Sequence, residues 1–127
     1  MNEQKTRYTY LGSTPVYSLP GIRPVFLVAS FRFDKGAKIW SENRTWGWLP
    51  SLEHARKSVA VNAGDMHETT YNYVIIEEVP AGVCVMNRVV EVYRWRPDRQ
   101  DKNHWRGKWI RCAKPKWIGQ AVNWTIG

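Results

Sequence analysis

The chain has 127 residues, a net charge of +8 and eight tryptophans. This length suits a single domain over residues 1–127 with a core of its own, and the ordinary hydrophobic content of 43% excludes a disordered chain. No apolar run approaches the roughly 18 residues of a membrane helix, and the N-terminus is polar. We therefore expect a cytoplasmic protein without membrane contact, in which Cys84 and Cys112 are reduced thiols.

The first half of the chain predicts three strands and one helix. A short strand is expected from Tyr8 to Leu11, followed by a loop, and a longer β-branched and aromatic strand from Val25 to Phe33. Another strand is expected from Lys38 to Trp48. A helix of about three turns should begin after Ser51, whose side chain can cap it, and end near Gly64, which can adopt a positive φ.

The second half predicts strands only. Tyr71 to Val79 is a strand that ends at the turn signal Pro80-Ala81-Gly82, and Val83 to Trp95 should pair with it. Simple alternation places Val90, Val92 and Arg94 on one side of that strand, with Val89, Glu91, Tyr93 and Trp95 on the other. A polar loop and a last strand from Trp105 to Cys112 follow. One short helix packed on a small antiparallel sheet makes an α+β fold of two layers.

The positive charge is concentrated near the C-terminal end. Residues 94–116 hold nine basic and two acidic side chains, a net charge of +7. A field of one sign favours anionic partners, and a solvated surface would normally mix both signs.

Tryptophans alternate with the basic residues in the same stretch, as in Arg94-Trp95-Arg96 and Lys108-Trp109-Ile110-Arg111. Indole faces stack on nucleobases and guanidinium groups bind phosphate, so the pattern is typical of a nucleotide site. The alternative is that each tryptophan packs in the core, which we favour about two to one for any single indole. Alternation also places Arg111 on the same face as Trp109.

Catalytic motifs are absent from the sequence. The segment Asp65-Met66-His67-Glu68 groups two carboxylates and an imidazole, which would suit acid–base chemistry or a metal ion. A plain polar loop is favoured about four to one over chemistry, because no second cluster completes a site. We therefore expect no enzyme activity, no cofactor and no metal.

A longer pattern resembles a known group of proteins. "RTWGWLPSLEHARKSVAVNAGDMHETTYNYVIIEEVPAG" is followed by "YRWRP", "RCAKP" and a terminal "NWTIG", over residues 44–127. The pattern resembles short phage and prophage proteins without an assigned function, and it is similar to the phage Thoeris anti-defence sponges. That resemblance implies an α+β homo-oligomer that sequesters cyclic ADP-ribose-type signals, without cleaving them, in pockets between subunits.

The leading hypothesis is thus a non-enzymatic protein that binds an anionic, nucleotide-derived signalling molecule. On chemical grounds the predicted ligand-binding residues are guanidinium and indole groups together with one amide: Arg44, Trp46, Arg94, Arg96, Trp109, Arg111, Asn123 and Trp124. Single-stranded nucleic acid and an acidic host protein remain alternative partners.

The segment Arg44-Thr45-Trp46-Gly47-Trp48 carries its own prediction. Regular alternation puts both tryptophans on one face with Arg44, and Gly47 opposite, where a ligand can approach the backbone. We expect Trp48 to pack beneath Leu52, with Arg44 and Trp46 nearer a pocket rim.

Overall fold

The computed structural model describes residues 7–11, 14–34, 39–100 and 106–115. Eight strands and one α-helix occur in these ranges: β1 (Arg7–Leu11), β2 (Thr14–Ser18), β3 (Val25–Asp34), β4 (Ile39–Leu49), α1 (Leu52–Ala60), β5 (Tyr73–Val79), β6 (Gly82–Val83), β7 (Arg88–Pro97) and β8 (Gly107–Cys112). A 3₁₀ turn, Glu68–Thr70, precedes β5.

An antiparallel sheet of five strands, in the order β4-β3-β5-β7-β8, forms the main layer. The helix α1 packs on one of its faces, which we call the helix face. The predicted α+β fold is therefore confirmed. Strands β1, β2 and β6 form a separate small sheet. The sequence pattern did not predict β2, because Pro15 and Pro20 disfavour a strand there. The predicted strand from Val83 to Trp95 is divided in two: Val83 pairs with β2, and the part that pairs with β5 is β7.

The helix begins and ends as the sequence predicts. The Ser51 hydroxyl accepts a hydrogen bond from the His54 amide at 3.2 Å, and Glu53 lies at the positive end of the helix dipole. Ala55 and Val59 are buried against the sheet. Asn62 and Gly64 adopt positive φ angles of 49° and 68° and end the helix.

Buried side chains lie on both faces of the sheet. The cluster on the helix face includes Val28, Ala55, Val59, Met66, Val74, Ile76, Tyr93 and Trp109. The opposite side, which we call the second face, carries Ala29, Phe31, Phe33, Tyr73, Ile75 and Val92. Because β3 and β5 have buried side chains on both faces, their sequences are nearly continuous hydrophobic runs.

A bulge in β7 overturns the predicted alternation of that strand. Ile76 pairs with Glu91 and Glu77 pairs with Val89, so Val90 has no partner in β5. Val90 packs on the helix-face cluster and Glu91 bonds to the helix, whereas Val89 packs on the second face. Val89 and Val90 are thus on the reverse faces from those predicted. Beyond the bulge, alternation holds up to Pro97.

Candidate anion-binding site

The β7–β8 hairpin carries most of the exposed positive charge, and its register decides which charges meet. Arg94 pairs with Ile110, Trp95 with Trp109, and Arg96 with Lys108. The indoles of Trp95 and Trp109 meet edge to face, with ring centroids 5.0 Å apart, on the helix face. Alternation then places Arg94, Arg96 and Lys108 together on the second face.

We call these three cations the second-face cluster. Their proximity lowers the stability of the folded chain unless an anion neutralises them. Arg96 and Lys108 are directly opposite across two strands, and like charges in such positions are destabilising. All three side chains are exposed, and none of them forms an ion pair with any residue that the structure describes. A local conflict of this kind is typical of a binding site whose ligand supplies the missing charge.

A cleft of about 920 Å³ opens at this end of the hairpin. Its basic lining residues are Arg96, Arg99, Arg106 and Lys108, and its acidic one is Asp98. The Asp98 amide donates to the Arg106 carbonyl at 2.7 Å, which extends the pairing of the two strands. At Gly107 a Cβ would lie 2.4 Å from the Arg96 carbonyl oxygen, so the close approach of the strands there requires glycine.

A smaller hollow of about 350 Å³ adjoins the second-face cluster and includes Arg94, Arg96, Ile110 and Cys112. Burial raises the pKa of the Cys112 thiol, and the positive charge of Arg94 partly opposes this shift. Arg94 therefore lies close to an apolar floor, which would suit the uncharged part of a ligand.

The cations also have a purely structural interpretation. Strand β8 is at the edge of the sheet, and lysine or arginine on an edge strand discourages pairing with other chains. Protection of the sheet edge from other chains requires charged residues only on the edge strand β8. It does not explain Arg94 and Arg96, which are on the inner strand β7.

Trp109, a predicted stacking residue, is largely enclosed. It is 7% exposed, and its indole N–H donates to Asn62 Oδ1 at 2.9 Å. Asn62 Nδ2 is 2.8 Å from His67 Nδ1, and His67 stacks on Trp95 with ring centroids 4.2 Å apart. Because Asn62 Oδ1 accepts from an indole, its amide N–H group must donate to His67. Trp109 thus presents little surface for a base to stack on.

Trp46 and Trp48 lie on opposite faces of the sheet, not on one face as predicted. A bulge opposite Val28 leaves Trp46 unpaired, so Trp46 packs on the helix-face cluster and donates to Ser30 Oγ at 2.7 Å. Arg44 lies over its ring, 4.2 Å from the centroid. Trp48 is on the other face and is 64% exposed, so the prediction that it packs beneath Leu52 is wrong.

A cleft of about 280 Å³ includes Trp46, Gly47 and Gly64. The expected rim position of Trp46 is thus found, although one face of its ring is occupied by Arg44. A Cβ at Gly47 would meet no atom within 4 Å, so the backbone there is open. Gly47 lines the same cleft as Trp46, however, and not the opposite face as predicted.

The predicted ligand-binding residues occupy separate places. Arg44 and Trp46 are on β4, at the opposite edge of the sheet from β8, roughly 19 Å away at about 4.8 Å per strand. Arg94 and Arg96 belong to the second-face cluster, whereas Trp109 and Arg111 are on the helix face. One small ligand cannot reach all of them within one chain. Asn123 and Trp124 are outside the described residues.

The segment from Asp65 to Glu68 does not assemble an open site. Met66 and His67 are buried, with His67 against Trp95, while Asp65 and Glu68 are exposed. In the described ranges, no group of three or more His, Cys, Asp or Glu side chains is placed to hold a metal ion.

Sequence reasoning omitted Lys108 from the site, although alternation placed it with Ile110 and Cys112 on the face opposite Trp109. The pairing of Lys108 with Arg96 depends on register, which the sequence does not show.

Comparison of the chain with family models, curated proteins and solved structures gives no match. None of the helices in the described part of the chain has the length and apolarity needed to span a bilayer.

Proposed function

We propose that the protein binds an anionic, nucleotide-derived small molecule and holds it without chemical change. The observation that supports the proposal is the second-face cluster: Arg94, Arg96 and Lys108 are adjacent, exposed and without an acidic partner among the described residues. Guanidinium groups bind phosphate oxygens in pairs, and a lysine adds a mobile point charge.

The sequence resemblance to Thoeris anti-defence sponges suggests which ligands to test first. By this resemblance, we propose that the ligand is a cyclic ADP-ribose-type signal, that the protein is a homo-oligomer, and that it is located in the cytoplasm. In an oligomer, Arg44 and Trp46 of one subunit would be able to approach the second-face cluster of another, which one chain alone does not allow.

Calorimetric titration tests the proposal with a panel of cyclic ADP-ribose isomers, ADP and cyclic dinucleotides. We expect micromolar or tighter binding of at least one of them, an affinity of about 8 kcal/mol or more. The double variant Arg94→Gln/Arg96→Gln should lose it. The matched control is Arg88→Gln, which removes an exposed arginine of the same strand that pairs with Glu78.

Two outcomes would contradict the proposal. One is the absence of binding by every member of the panel; the other is equal binding by the double variant and the control. Mass spectrometry of the released ligand distinguishes sequestration from catalysis, because a sequestered molecule keeps its mass.

Single-stranded nucleic acid is the second candidate, because the exposed cations extend past the cluster to Arg99 and Lys114. Such binding would weaken steeply as salt rises, since each phosphate contact releases a counterion. Fluorescence anisotropy with a labelled oligonucleotide at increasing salt measures this slope. Failure to bind at low salt would remove the candidate.

A further inference from the structure

A second group of charges is built into the helix face, around the buried carboxylate of Glu91. The Glu91 side chain is 1% exposed. Its Oε1 accepts a hydrogen bond from Arg56 Nε at 2.6 Å, and its Oε2 accepts one from the Tyr93 hydroxyl. Arg111 Nη1 is 3.6 Å from Oε1. The helix α1 and the strands β7 and β8 each contribute one or two members of this group.

The two arginines differ in how they use their donors. A guanidinium group has five N–H donors, and Arg56 directs its Nε and one Nη at Glu91. The Arg111 distance of 3.6 Å is too long for a hydrogen bond, so Arg111 is attracted to the carboxylate but donates nothing to it. Among the described residues, no acceptor therefore takes up the donors of Arg111, and Arg56 keeps those that it does not direct at Glu91.

Both arginines open into a common cleft of about 490 Å³ between α1 and β8. Their side chains are 49% and 63% exposed. The rest of the lining is mainly apolar and includes Val59, Ala60 and Trp109. This arrangement presents two guanidinium groups at the mouth of a hollow with little other polar surface.

The charge balance limits what the cleft can accept. Arg56 and Arg111 bring two positive charges and Glu91 one negative charge, so the group has a net charge of +1. A singly charged group neutralises it, whereas a doubly charged phosphate would leave one negative charge uncompensated beside a mainly apolar lining, where desolvating that charge is costly.

We propose that Arg56 and Arg111, held by Glu91, form an anion site on the helix face for a singly charged oxyanion, a carboxylate or a phosphodiester. The site does not rest on the proposed function, because it is on the opposite side of the sheet from Arg94, Arg96 and Lys108. Glu91 acts as a positioning residue, since it fixes the guanidinium groups without touching the anion.

The test is an NMR titration of the full chain that follows the arginine Nε–Hε signals at constant ionic strength. The probes are acetate, dimethyl phosphate and inorganic phosphate, each exchanged for chloride. We expect the signals of Arg56 and Arg111 to shift together and saturate with acetate, with dimethyl phosphate, or with both. Saturation by one alone identifies the source as a carboxylate or a phosphodiester.

Two variants and one control make the test specific. Arg111→Met should abolish the response of Arg56, and Arg111→Lys, which keeps the charge but not the planar fork, should weaken it about fivefold or more. Both should fold, because Arg56 and Tyr93 still bond to Glu91. Arg88→Met removes an exposed arginine at the beginning of β7, where it pairs with Glu78, and should leave the response of Arg56 and Arg111 unchanged.

The proposal is overturned if Arg56 and Arg111 shift no more than Arg88 in the wild-type chain, or if Arg111→Met binds as well as wild type. Tighter binding of doubly charged inorganic phosphate than of both singly charged probes would also overturn it. The signals of Arg94 and Arg96 report separately on the second face, so failure of one site is distinguishable from failure of the other.

Discussion

At the scale of single residues, Asn62 joins the end of the helix to the aromatic side chains of the sheet. It sits at a positive φ of 49°, accepts a hydrogen bond from Trp109 and donates one to His67. Asparagine suits this position because it tolerates the left-handed region better than most residues and carries both a donor and an acceptor.

We predict that Asn62→Ala lowers the free energy of unfolding by about 2–3 kcal/mol, since two hydrogen bonds are worth about 1 kcal/mol each and the left-handed φ adds strain. Asn62→Gly loses the same two hydrogen bonds, but glycine adopts a positive φ without strain. It should therefore lower the free energy of unfolding by less than Asn62→Ala does. Urea denaturation of both variants measures the difference. Equal losses would show that backbone strain has no part in the effect.

The two tryptophans of β4 give a contrasting pair. Trp46 is packed on the helix-face cluster and bonded to Ser30, whereas Trp48 is 64% exposed. We predict that Trp46→Ala costs about 3 kcal/mol of stability and that Trp48→Ala changes it by about 0.5 kcal/mol or less. Thermal and urea unfolding of the two variants would check this order, and a larger loss for Trp48→Ala would contradict the bulge at Trp46.

At the scale of elements, Glu91 is the main polar connection from the sheet to α1. Burial alone would raise the pKa of this carboxyl, but hydrogen bonds from Arg56 and Tyr93 and the charge of Arg111 outweigh it and lower the pKa below its ordinary value of 4.5. Burial and the neighbouring carboxylate also raise the pKa of the Tyr93 hydroxyl, which therefore stays protonated and keeps donating.

A lowered carboxyl pKa makes stability depend on acidity in a defined direction. The contribution of Glu91 is fully present above the unfolded value of about 4.5 and is lost as the pH falls through the lower folded value. We predict that Glu91→Gln flattens the loss of stability below pH 4.5, as measured by urea unfolding across the acid range. An unchanged acid slope in the variant would show that other carboxyls account for it.

Much of the fold follows from local sequence signals. Local features predicted α1, β3 and β5: the cap at Ser51, the helix end at Gly64, and the hydrophobic runs Val25–Phe33 and Tyr71–Val79. Capping and burial of this kind depend on residues that are close together in the sequence. The faces of β4 and β7 were not predictable in this way. The bulges at Trp46 and Val90 reverse the alternation, and they depend on the register with the neighbouring strand, which the strand's own sequence does not show.

The candidate sites show the same division. The concentration of charge in residues 94–116 indicated an anionic partner, and alternation placed Lys108 opposite Trp109 but Arg111 on the same face as Trp109. The contact of Arg56 with Glu91 spans 35 residues, and nothing local in the sequence indicates it. The aromatic residues were harder to assign, because a tryptophan that stacks on a ligand and one that packs in the core have the same pattern.

At the scale of the whole molecule, one sheet carries different charge arrangements on its two faces. On the second face, Arg94, Arg96 and Lys108 have no acidic partner among the described residues, whereas on the helix face Glu91 partly balances Arg56 and Arg111. Under the proposed function, the second-face cluster binds an anionic ligand, and its like charges make the pairing of β7 with β8 less stable than it would otherwise be.

Lys108→Glu tests this proposal, with stability measured on the same protein as the affinity for the panel member that the wild-type chain binds most tightly. The change converts the repulsive pair with Arg96 into an attractive one, so we predict stability equal to wild type or higher by about 0.2–1 kcal/mol. The same change should weaken binding of that nucleotide about tenfold or more, a loss of about 1.4 kcal/mol. A folded variant that binds it within about twofold of wild type, a difference under about 0.5 kcal/mol, would contradict the proposal.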